Sequence, residues 1–263
     1  MKKLPKIINL NEVSKTFDNG TIAVQGMSID VLKGQFISFL GPSGCGKSTV
    51  LKMISGLLKP TTGEIVFNNS SFGSEEIEIG YVFQDATLMP WATVSENVYL
   101  PLRLKGISKS QASNEIERVL TQVGLKDFYN SYPRELSGGM KMRVSIARAL
   151  IMKPKLLLMD EPFAALDEMT RFKLNDDVLN FWEDGNLTVI FVTHSVFESV
   201  YLSNRVVVMA PRPGRVIADL LLNNDYPRSE KYRTTSNYAK NCRLISKHLQ
   251  LSLIHISEPT RPI

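Results

Sequence analysis

The chain has 263 residues, of which 43% are hydrophobic and 22% are charged, and this balance supports a folded core and excludes a disordered or collagen-like chain. Lys and Arg total 31 against 26 Asp and Glu, so the small positive excess permits an anionic ligand without requiring one. Two cysteines far apart in sequence, Cys45 and Cys242, predict a reducing compartment and no disulfide framework. Because no apolar run approaches the roughly 20 residues of a bilayer span, and the start lacks an apolar secretory segment, we expect that the chain does not itself cross a membrane.

Strands are predicted mainly in the first hundred residues, where β-rich runs are bounded by Gly or Pro turns. The predicted ranges are 7–17, 23–31, 35–40, 64–68 and 79–83. Three later runs, at 156–159, 189–192 and 206–209, are wholly apolar, as is typical of parallel strands covered on both faces. We expect these three at the centre of a mixed sheet in an α/β fold.

A mostly helical subdomain is predicted from Trp91 to about Met152. Two pairs there have capping-box spacing, in which a Ser or Thr side chain and a Glu or Gln three residues later cap a helix start. The pairs are Thr93 with Glu96 and Ser108 with Gln111. Apolar residues then recur on one helical face, at Ile116, Val119, Leu120 and Val123.

A glycine-rich loop follows the predicted strand that ends at Leu40 and precedes a helical run at 49–57. Its residues are Gly41, Pro42, Ser43, Gly44, Cys45, Gly46, Lys47 and Ser48, with Thr49 next. The pattern G-x-x-x-x-G-K-[ST] in this context predicts a triphosphate cradle, because glycines let successive backbone N–H groups point at phosphate oxygens. Lys47 would reach the β- and γ-phosphates, and the Ser48 hydroxyl would be a Mg²⁺ ligand. By itself such a loop fits kinases, GTPases and many motor proteins.

Cys45 in the middle of this loop has two interpretations. A thiolate is favoured at a helix N-terminus, which predicts a reactive cysteine. The alternative is a small residue that simply fits the loop.

A second helix start also suits an anion. Ser137 is a good N-cap, and Gly138 and Gly139 leave the first amides of the helix bare. The helix that follows has one apolar face, formed by Met140, Val144, Ala147 and Ile151.

With these two motifs the chain, from about Ile7 to Arg215, resembles the ATPase subunit of an ATP-binding cassette (ABC) transporter. The resemblance implies a P-loop NTPase core with an antiparallel β subdomain and an inserted α-helical signature subdomain. In that family two nucleotide domains pack head to tail, and each LSGG helix covers the phosphate bound by the other domain. The resemblance therefore implies a homodimer, with Ser137, Gly138 and Gly139 completing the ATP site of a second chain.

The resemblance also assigns roles to acidic and amide side chains. Asp160 follows the apolar strand at 156–159 and matches the family residue that holds Mg²⁺, mainly through water. Glu161 matches the general base for the attacking water. Gln84 matches the Q-loop residue that touches Mg²⁺ and that water. Without the resemblance, an acid pair at a strand end is equally well explained as a solvated loop start.

Further matches concern His194, Asp167 and Phe17. His194 corresponds to a histidine that hydrogen-bonds the γ-phosphate and orients Glu161 and the water, although a lone His is usually structural. Asp167 belongs to the D-loop, which crosses the dimer interface. Phe17 corresponds to an aromatic ring stacked on adenine, and a core Phe is the alternative. Departures from the family pattern are Met140, Met142 and Ala164, where many members have Gln, Gln and Ser.

Three segments, at 88–97, 193–203 and 206–215, resemble the branch of bacterial importers for nitrate, sulfonates, taurine and pyrimidine precursors. This branch implies two integral-membrane permease subunits, an extracytoplasmic solute-binding protein, and a place on the cytoplasmic face of the bacterial inner membrane. The apolar loop 88–97 is expected to dock into the permease. The sequence does not identify the solute.

Two alternatives belong to other functional classes. A soluble cassette ATPase acting on nucleic acid or ribosomes would carry two cassettes or a long inserted coiled coil, and the basic residues here form no aromatic-interleaved stripe, so we expect no nucleic-acid partner. A non-hydrolysing regulatory binder conflicts with the joint presence of Lys47, Asp160, Glu161 and His194.

The C-terminal region is expected to differ from the nucleotide-binding domain, which we place at 1–225. Apolar residues spaced 4-3-4, at Tyr238, Cys242, Ile245 and Leu249, predict an amphipathic helix within an extension over 226–250. From Leu251 to Ile263 the period is lost, and the string LSLIHISEPTRPI resembles the in-frame translation of a transposon-type sequencing adapter. An ordinary frayed tail is the alternative.

Overall fold

A computed structural model describes residues 5–67, 70–71, 78–185, 187–222 and 226–254. The chain forms two compact units, one from residues 1–76 and 188–263 and the other from Ile77–Leu187. The last residue of the strand predicted at 64–68, and residues 255–263 of the adapter-like segment, lie outside the described residues.

The first unit holds an antiparallel sheet and a largely parallel one. Its strands are β1 (Lys6–Thr16), β2 (Ile22–Leu32), β3 (Phe36–Leu40), β4 (Thr62–Phe67), β5 (Ser70–Ser71), β8 (Thr188–Thr193), β9 (Arg205–Ala210) and β10 (Arg215–Leu221). Its helices are α1 (Lys47–Ile54), α6 (Val196–Leu202), α7 (Ser236–Ile254) and a 3-10 turn at Glu230–Thr234.

The antiparallel sheet has the strand order β2-β1-β4-β5. In the other sheet of this unit, β3 lies between β8 and β9 and pairs with both in parallel, and β10 adds to β9 in antiparallel. Every residue of β3 and β8 is buried, and for β8 the unbroken apolar run at 189–192 predicted this burial on both faces. Together with β8 and β9, β3 therefore forms the centre of this sheet, although the sequence had placed the centre only at the three later apolar runs.

The second unit combines a parallel strand pair with helices. Its elements are β6 (Ile79–Val82), α2 (Val94–Leu104), α3 (Lys109–Gln122), α4 (Gly138–Leu150), β7 (Leu156–Asp160), α5 (Glu168–Gly185) and 3-10 turns at Lys126–Phe128 and Pro133–Glu135. Strands β6 and β7 pair in parallel, and α4 contacts α2, α3 and α5. The core of the helices includes Ile116, Val119 and Leu120, all fully buried.

The helix starts follow local chemistry. Both predicted capping boxes are confirmed: the Thr93 side chain caps α2 and Ser108 caps α3, each with the reciprocal bond from the residue at the third helical position. Helix α1 begins at Lys47 and ends at Ile54, whereas the sequence predicted 49–57. It ends early because Gly56 adopts a left-handed backbone, with φ of 77°, a conformation that commonly terminates helices.

The C-terminal helix α7 continues to Ile254 instead of ending near Gln250. Its residues Tyr238, Cys242 and Ile245 are buried, as the 4-3-4 spacing predicted. Within the ranges described above, no helix is both long and apolar enough to pass through a bilayer.

Candidate functional site

The phosphate loop and His194 leave the same edge of the sheet in the first unit. Leu40, the last residue of β3, pairs with Thr193, the last residue of β8. Because parallel strands end at a common edge, the loop that begins at Gly41 and the exposed His194 follow neighbouring strand ends. This edge is where α/β sheets usually bind ligands.

Lys47 lies inside the loop and is only 3% exposed. Its Nζ donates hydrogen bonds to the carbonyl oxygens of Gly41 at 2.8 Å and Pro42 at 3.0 Å. Gly44 and Gly46 have φ values of 78° and 90°, a region that glycine enters without the steric cost borne by other residues. The loop thus keeps a buried ammonium group at its centre.

The start of α1 fits an anion. No side chain caps this helix, and its first turn contains no acidic residue. The N–H groups of a helix's first turn carry partial positive charge. An ammonium group and an N-terminal helix end without a carboxylate are together suited to the phosphates of ATP.

Gly214 packs against the backbone of the phosphate loop. The sequence did not predict this contact. A Cβ at Gly214 would lie 2.4 Å from both the Ala23 and Cys45 carbonyl oxygens, and one at Gly46 would lie 2.5 Å from the Ala23 oxygen. The turn between β9 and β10 therefore packs directly against the backbone of the loop and of β2. Nothing in the local pattern of a tight turn signals contact with two segments so distant in sequence.

Replacing Gly214 with Ala is expected to destabilise the fold by about 2–3 kcal/mol and to weaken ATP binding, because the added methyl group has rigid backbone on two sides. Gly20→Ala is the matched control, since Gly20 has φ of 79° and open space around it, and it should cost only about 1 kcal/mol of backbone strain. Urea unfolding and ATP titration of both variants measure the difference. Equal stability losses would show that the close contacts at Gly214 relax freely.

Cys45 is fully buried. A Cβ at Gly41 would lie 2.6 Å from its sulfur, and Lys47 Nζ donates to Sγ at 3.9 Å. This burial favours the interpretation of Cys45 as a small residue that fills the loop over that of an accessible reactive thiol.

In the second unit, acidic and amide side chains follow the ends of β6 and β7. Val82 pairs with Met159, so Gln84 and Asp160 leave the sheet at the same edge. Asp160 is 8% exposed, and the Tyr81 hydroxyl donates a hydrogen bond to its Oδ2 at 3.4 Å. Burial, and then the charge of Asp160, raise the pKa of Tyr81. The Asp160 carboxylate supplies the kind of anionic oxygen that Mg²⁺ prefers.

Glu161 has a left-handed backbone with φ of 45°. Few non-glycine residues adopt this region, and such strain is common at functional positions. The turn comes directly after β7, and the Glu161 side chain is half-buried. Asp160, at the strand end, is nearly buried, whereas Glu161, on the strained turn, is half-buried. The two carboxylates therefore differ in their exposure to solvent.

The start of α4 is confirmed as predicted: the Ser137 hydroxyl accepts a hydrogen bond from the Met140 amide at 3.3 Å. The glycines here also serve packing. A Cβ at Gly139 would lie 2.4 Å from Cγ2 of Thr170, so this glycine lets α4 approach the segment that begins α5. Asp167 caps α5 by accepting from the Thr170 amide at 2.9 Å. Hydrogen bonds from the Thr170 hydroxyl and then from this amide hold the pKa of Asp167 below its usual value.

The predicted site residues are divided between the units. The first unit contains Phe17, the loop from Gly41 to Thr49, and His194. The second contains Gln84, Ser137, Gly138, Gly139, Asp160, Glu161 and Asp167.

The Phe17 ring is 40% exposed, and Lys15 Nζ lies 5.6 Å from its centroid. This exposure excludes the alternative that Phe17 is a core residue.

Comparisons with known proteins agree with these features. Residues 24–164 match the family described as ABC transporter. A putative ATP-binding protein of Brucella abortus biovar 1 (strain 9-941) is 43% identical over 89% of this chain and 90% of its own length. The aliphatic sulfonates import ATP-binding protein SsuB of Bacillus thuringiensis subsp. konkukian (strain 97-27) is 42% identical over 85% of this chain and 89% of its own length.

A solved structure extends the likeness to the fold. It is a dimeric ATP-binding cassette in a post-hydrolysis state bound to ADP and Pi, and it is 33% identical to this chain with a TM-score of 0.74. The alignment covers 83% of this chain and all of that one. The α/β architecture is thus that of a P-loop NTPase with an antiparallel β subdomain and an inserted helical subdomain. The chain belongs to the ABC transporter family and is an ATPase subunit of the ATP-binding cassette type.

Proposed function

We propose that this chain is the energy-coupling ATPase of a bacterial ABC importer for a small organic or inorganic solute of the sulfonate, nitrate or taurine kind. The observation that carries the proposal is the presence of two glycine-containing helix starts suited to phosphate, at Lys47 on α1 and at Ser137 on α4. The likeness to an importer subunit named for aliphatic sulfonates supports the solute class.

The residues divide the chemistry of hydrolysis among them. Lys47 and the loop amides bind the phosphates, and the Ser48 hydroxyl, Asp160 and Gln84 are the proposed Mg²⁺ ligands. When bound, Mg²⁺ neutralises charge that develops on the phosphate oxygens. Glu161 accepts a proton from the attacking water as the general base.

Three further residues position the reactants. His194, exposed at the end of β8, orients the water and the terminal phosphate. The Phe17 ring stacks on adenine. Asp167, which caps α5, crosses to a second copy of the chain.

The proposed working form is a homodimer in which Ser137, Gly138 and Gly139 of one copy cover the phosphate held by Lys47 of the other. Ser137 and Gly138 are exposed at the start of α4, as a surface that meets a second copy must be. The related cassette solved as a dimer supports this arrangement.

The proposed membrane partners are two permease subunits, with a solute-binding protein on the outer side. Trp91 is 76% exposed in the loop before α2, and a large exposed aromatic side chain is a typical interface anchor. Docking of this loop would place the chain on the cytoplasmic face of the inner membrane.

Complementation between two inactive variants tests the shared site. Lys47→Met and Ser137→Arg should each abolish hydrolysis, because each disables both sites of a homodimer. In a mixed dimer one ATP site carries both substitutions and the other carries none. About half of the dimers in an equimolar mixture are mixed, and each has one intact site of two, so the mixture should regain up to about a quarter of wild-type activity. An inactive mixture would show that Lys47 and Ser137 do not act across two copies, and the proposed dimer would be wrong.

A further inference from the structure

Residues 85–93 form most of the loop between β6 and α2, and side chains of α4 and α2 hold them at both ends. Trp91 near its end is 76% exposed. Side chains from two helices nevertheless bind six of its backbone groups, one amide and five carbonyls. An exposed loop with this many fixed backbone groups is preformed rather than loose.

Arg148, in the last turn of α4, holds the first part of the loop. Its guanidinium donates to the carbonyl oxygens of Ala86 and Thr87, each at 2.9 Å, and to the Thr87 hydroxyl at 3.0 Å. Thr87 has φ of 47°, an uncommon conformation for a β-branched residue that persists only where its surroundings fix it.

Asn97, in the first turns of α2, holds the second part. Its side chain is fully buried. It accepts from the Met89 amide at 2.7 Å and donates to the carbonyl oxygens of Met89, Ala92 and Thr93 at 3.2, 3.1 and 3.0 Å. The loop is thus bound to α4 at one end and to α2 at the other.

The charge of Arg148 makes its bond to the loop hard to break. Burial lowers the pKa of its guanidinium, and no charged neighbour among the described residues offsets that shift. Within the described residues, its hydrogen-bond acceptors all belong to Ala86 and Thr87. If the loop moved away from α4, a partly buried cation would lose these acceptors, so the loop is expected to follow the helix.

Helix α4 begins at the Ser137 cap and carries Arg148 eleven residues later. At 1.5 Å per residue, these ends are about 16 Å apart on one rigid element. We propose that Arg148 is a positioning residue that makes the loop 85–93 move with α4, so that contact at Ser137 is transmitted to the loop that carries Trp91. This inference rests on the proposed function of Ser137, Gln84 and the loop.

Hydrogen exchange of the full-length protein tests the mechanical part without any assay of activity. In Arg148→Met, we expect amides of the loop to exchange at least about tenfold faster than in the wild type. Arg143→Met is the matched control, since Arg143 lies on the same helix but bonds to the Val123 carbonyl and pairs with Asp177. It should leave exchange in the loop within about 1.5-fold of wild type. Unchanged loop exchange in Arg148→Met would overturn the inference.

A milder substitution covers the case in which Arg148→Met fails to fold. Thr87→Val keeps the shape of the side chain but removes one of the three acceptors, so we expect loop exchange to rise by about threefold. No change there would likewise count against the inference.

Steady-state hydrolysis separates positioning from a general loss of stability. Arg148→Met should lower kcat about tenfold or more while KM for ATP stays within about twofold, because the nucleotide contacts remain. Equal changes in kcat for Arg148→Met and Arg143→Met would refute positioning. Loop exchange could rise only in Arg148→Met while complementation between Lys47→Met and Ser137→Arg fails. That result would support the role of Arg148 in holding the loop and would contradict the proposed dimer.

Discussion

Replacing Glu161 with Gln is expected to leave ATP binding nearly unchanged and to slow hydrolysis by about 10²–10⁴-fold, or about 3–5 kcal/mol of barrier. The amide keeps the size and hydrogen-bonding shape of the carboxylate but cannot accept a proton from water. Because Glu161 lies on a left-handed turn just after β7, a side chain of equal length occupies the same position.

The measurement is single-turnover hydrolysis together with equilibrium binding of ATP. Glu183→Gln is the matched control, since Glu183 is an exposed carboxylate of α5 in the same unit, and it should retain wild-type turnover. Unchanged hydrolysis in Glu161→Gln would show that another group activates the water, and the role proposed for this residue would be wrong.

Replacing Arg228 with Met is expected to destabilise the chain by about 3–5 kcal/mol, the largest stability effect we expect from one substitution. Arg228 is 9% exposed. Its guanidinium donates to the carbonyl oxygens of Val200 at 2.9 Å, Ser203 at 3.1 Å and Tyr201, where α6 ends. It also lies 3.9 Å from the centroid of the Tyr226 ring.

The physical reason is that helix α6 leaves its last carbonyl groups without helical partners. Arg228 satisfies two of them, on Val200 and Tyr201, together with the carbonyl of the capping residue Ser203. Methionine fills the space but donates no hydrogen bond, so these buried acceptors remain unpaired. Arg243→Met, an exposed arginine of α7, should change stability by less than about 0.5 kcal/mol. Urea unfolding of the two variants decides the matter, and similar midpoints for both would exclude a special role for Arg228 at the end of α6.

Features with local causes could be predicted from the sequence. The capping boxes at Thr93 and Ser108 depend on side chains that reach backbone groups three residues away, so their spacing alone is enough. The same holds for the Ser137 cap on α4. Wholly apolar runs such as β8 predicted strands covered on both faces, because burial on two sides requires an apolar residue at every position.

Other parts of the candidate site could not be predicted. Gly214 supports the phosphate loop through contacts with Ala23 and Cys45, and Arg148 binds Ala86 and Thr87. Each contact joins segments that are tens to hundreds of residues apart in the chain. An arginine within a helix or a glycine within a turn has the same local pattern whether or not such a partner exists.

The sequence by itself determined the family, the phosphate loop and the chemical type of each proposed site residue, because these depend on residue identity and short spacing. Only the tertiary structure decided which strand lies at the centre of the sheet, that Cys45 is buried, and which side chains hold the loops in place. The physical reason is that packing and hydrogen bonding between distant segments depend on the tertiary fold. A local sequence pattern does not specify which distant segment a residue will contact.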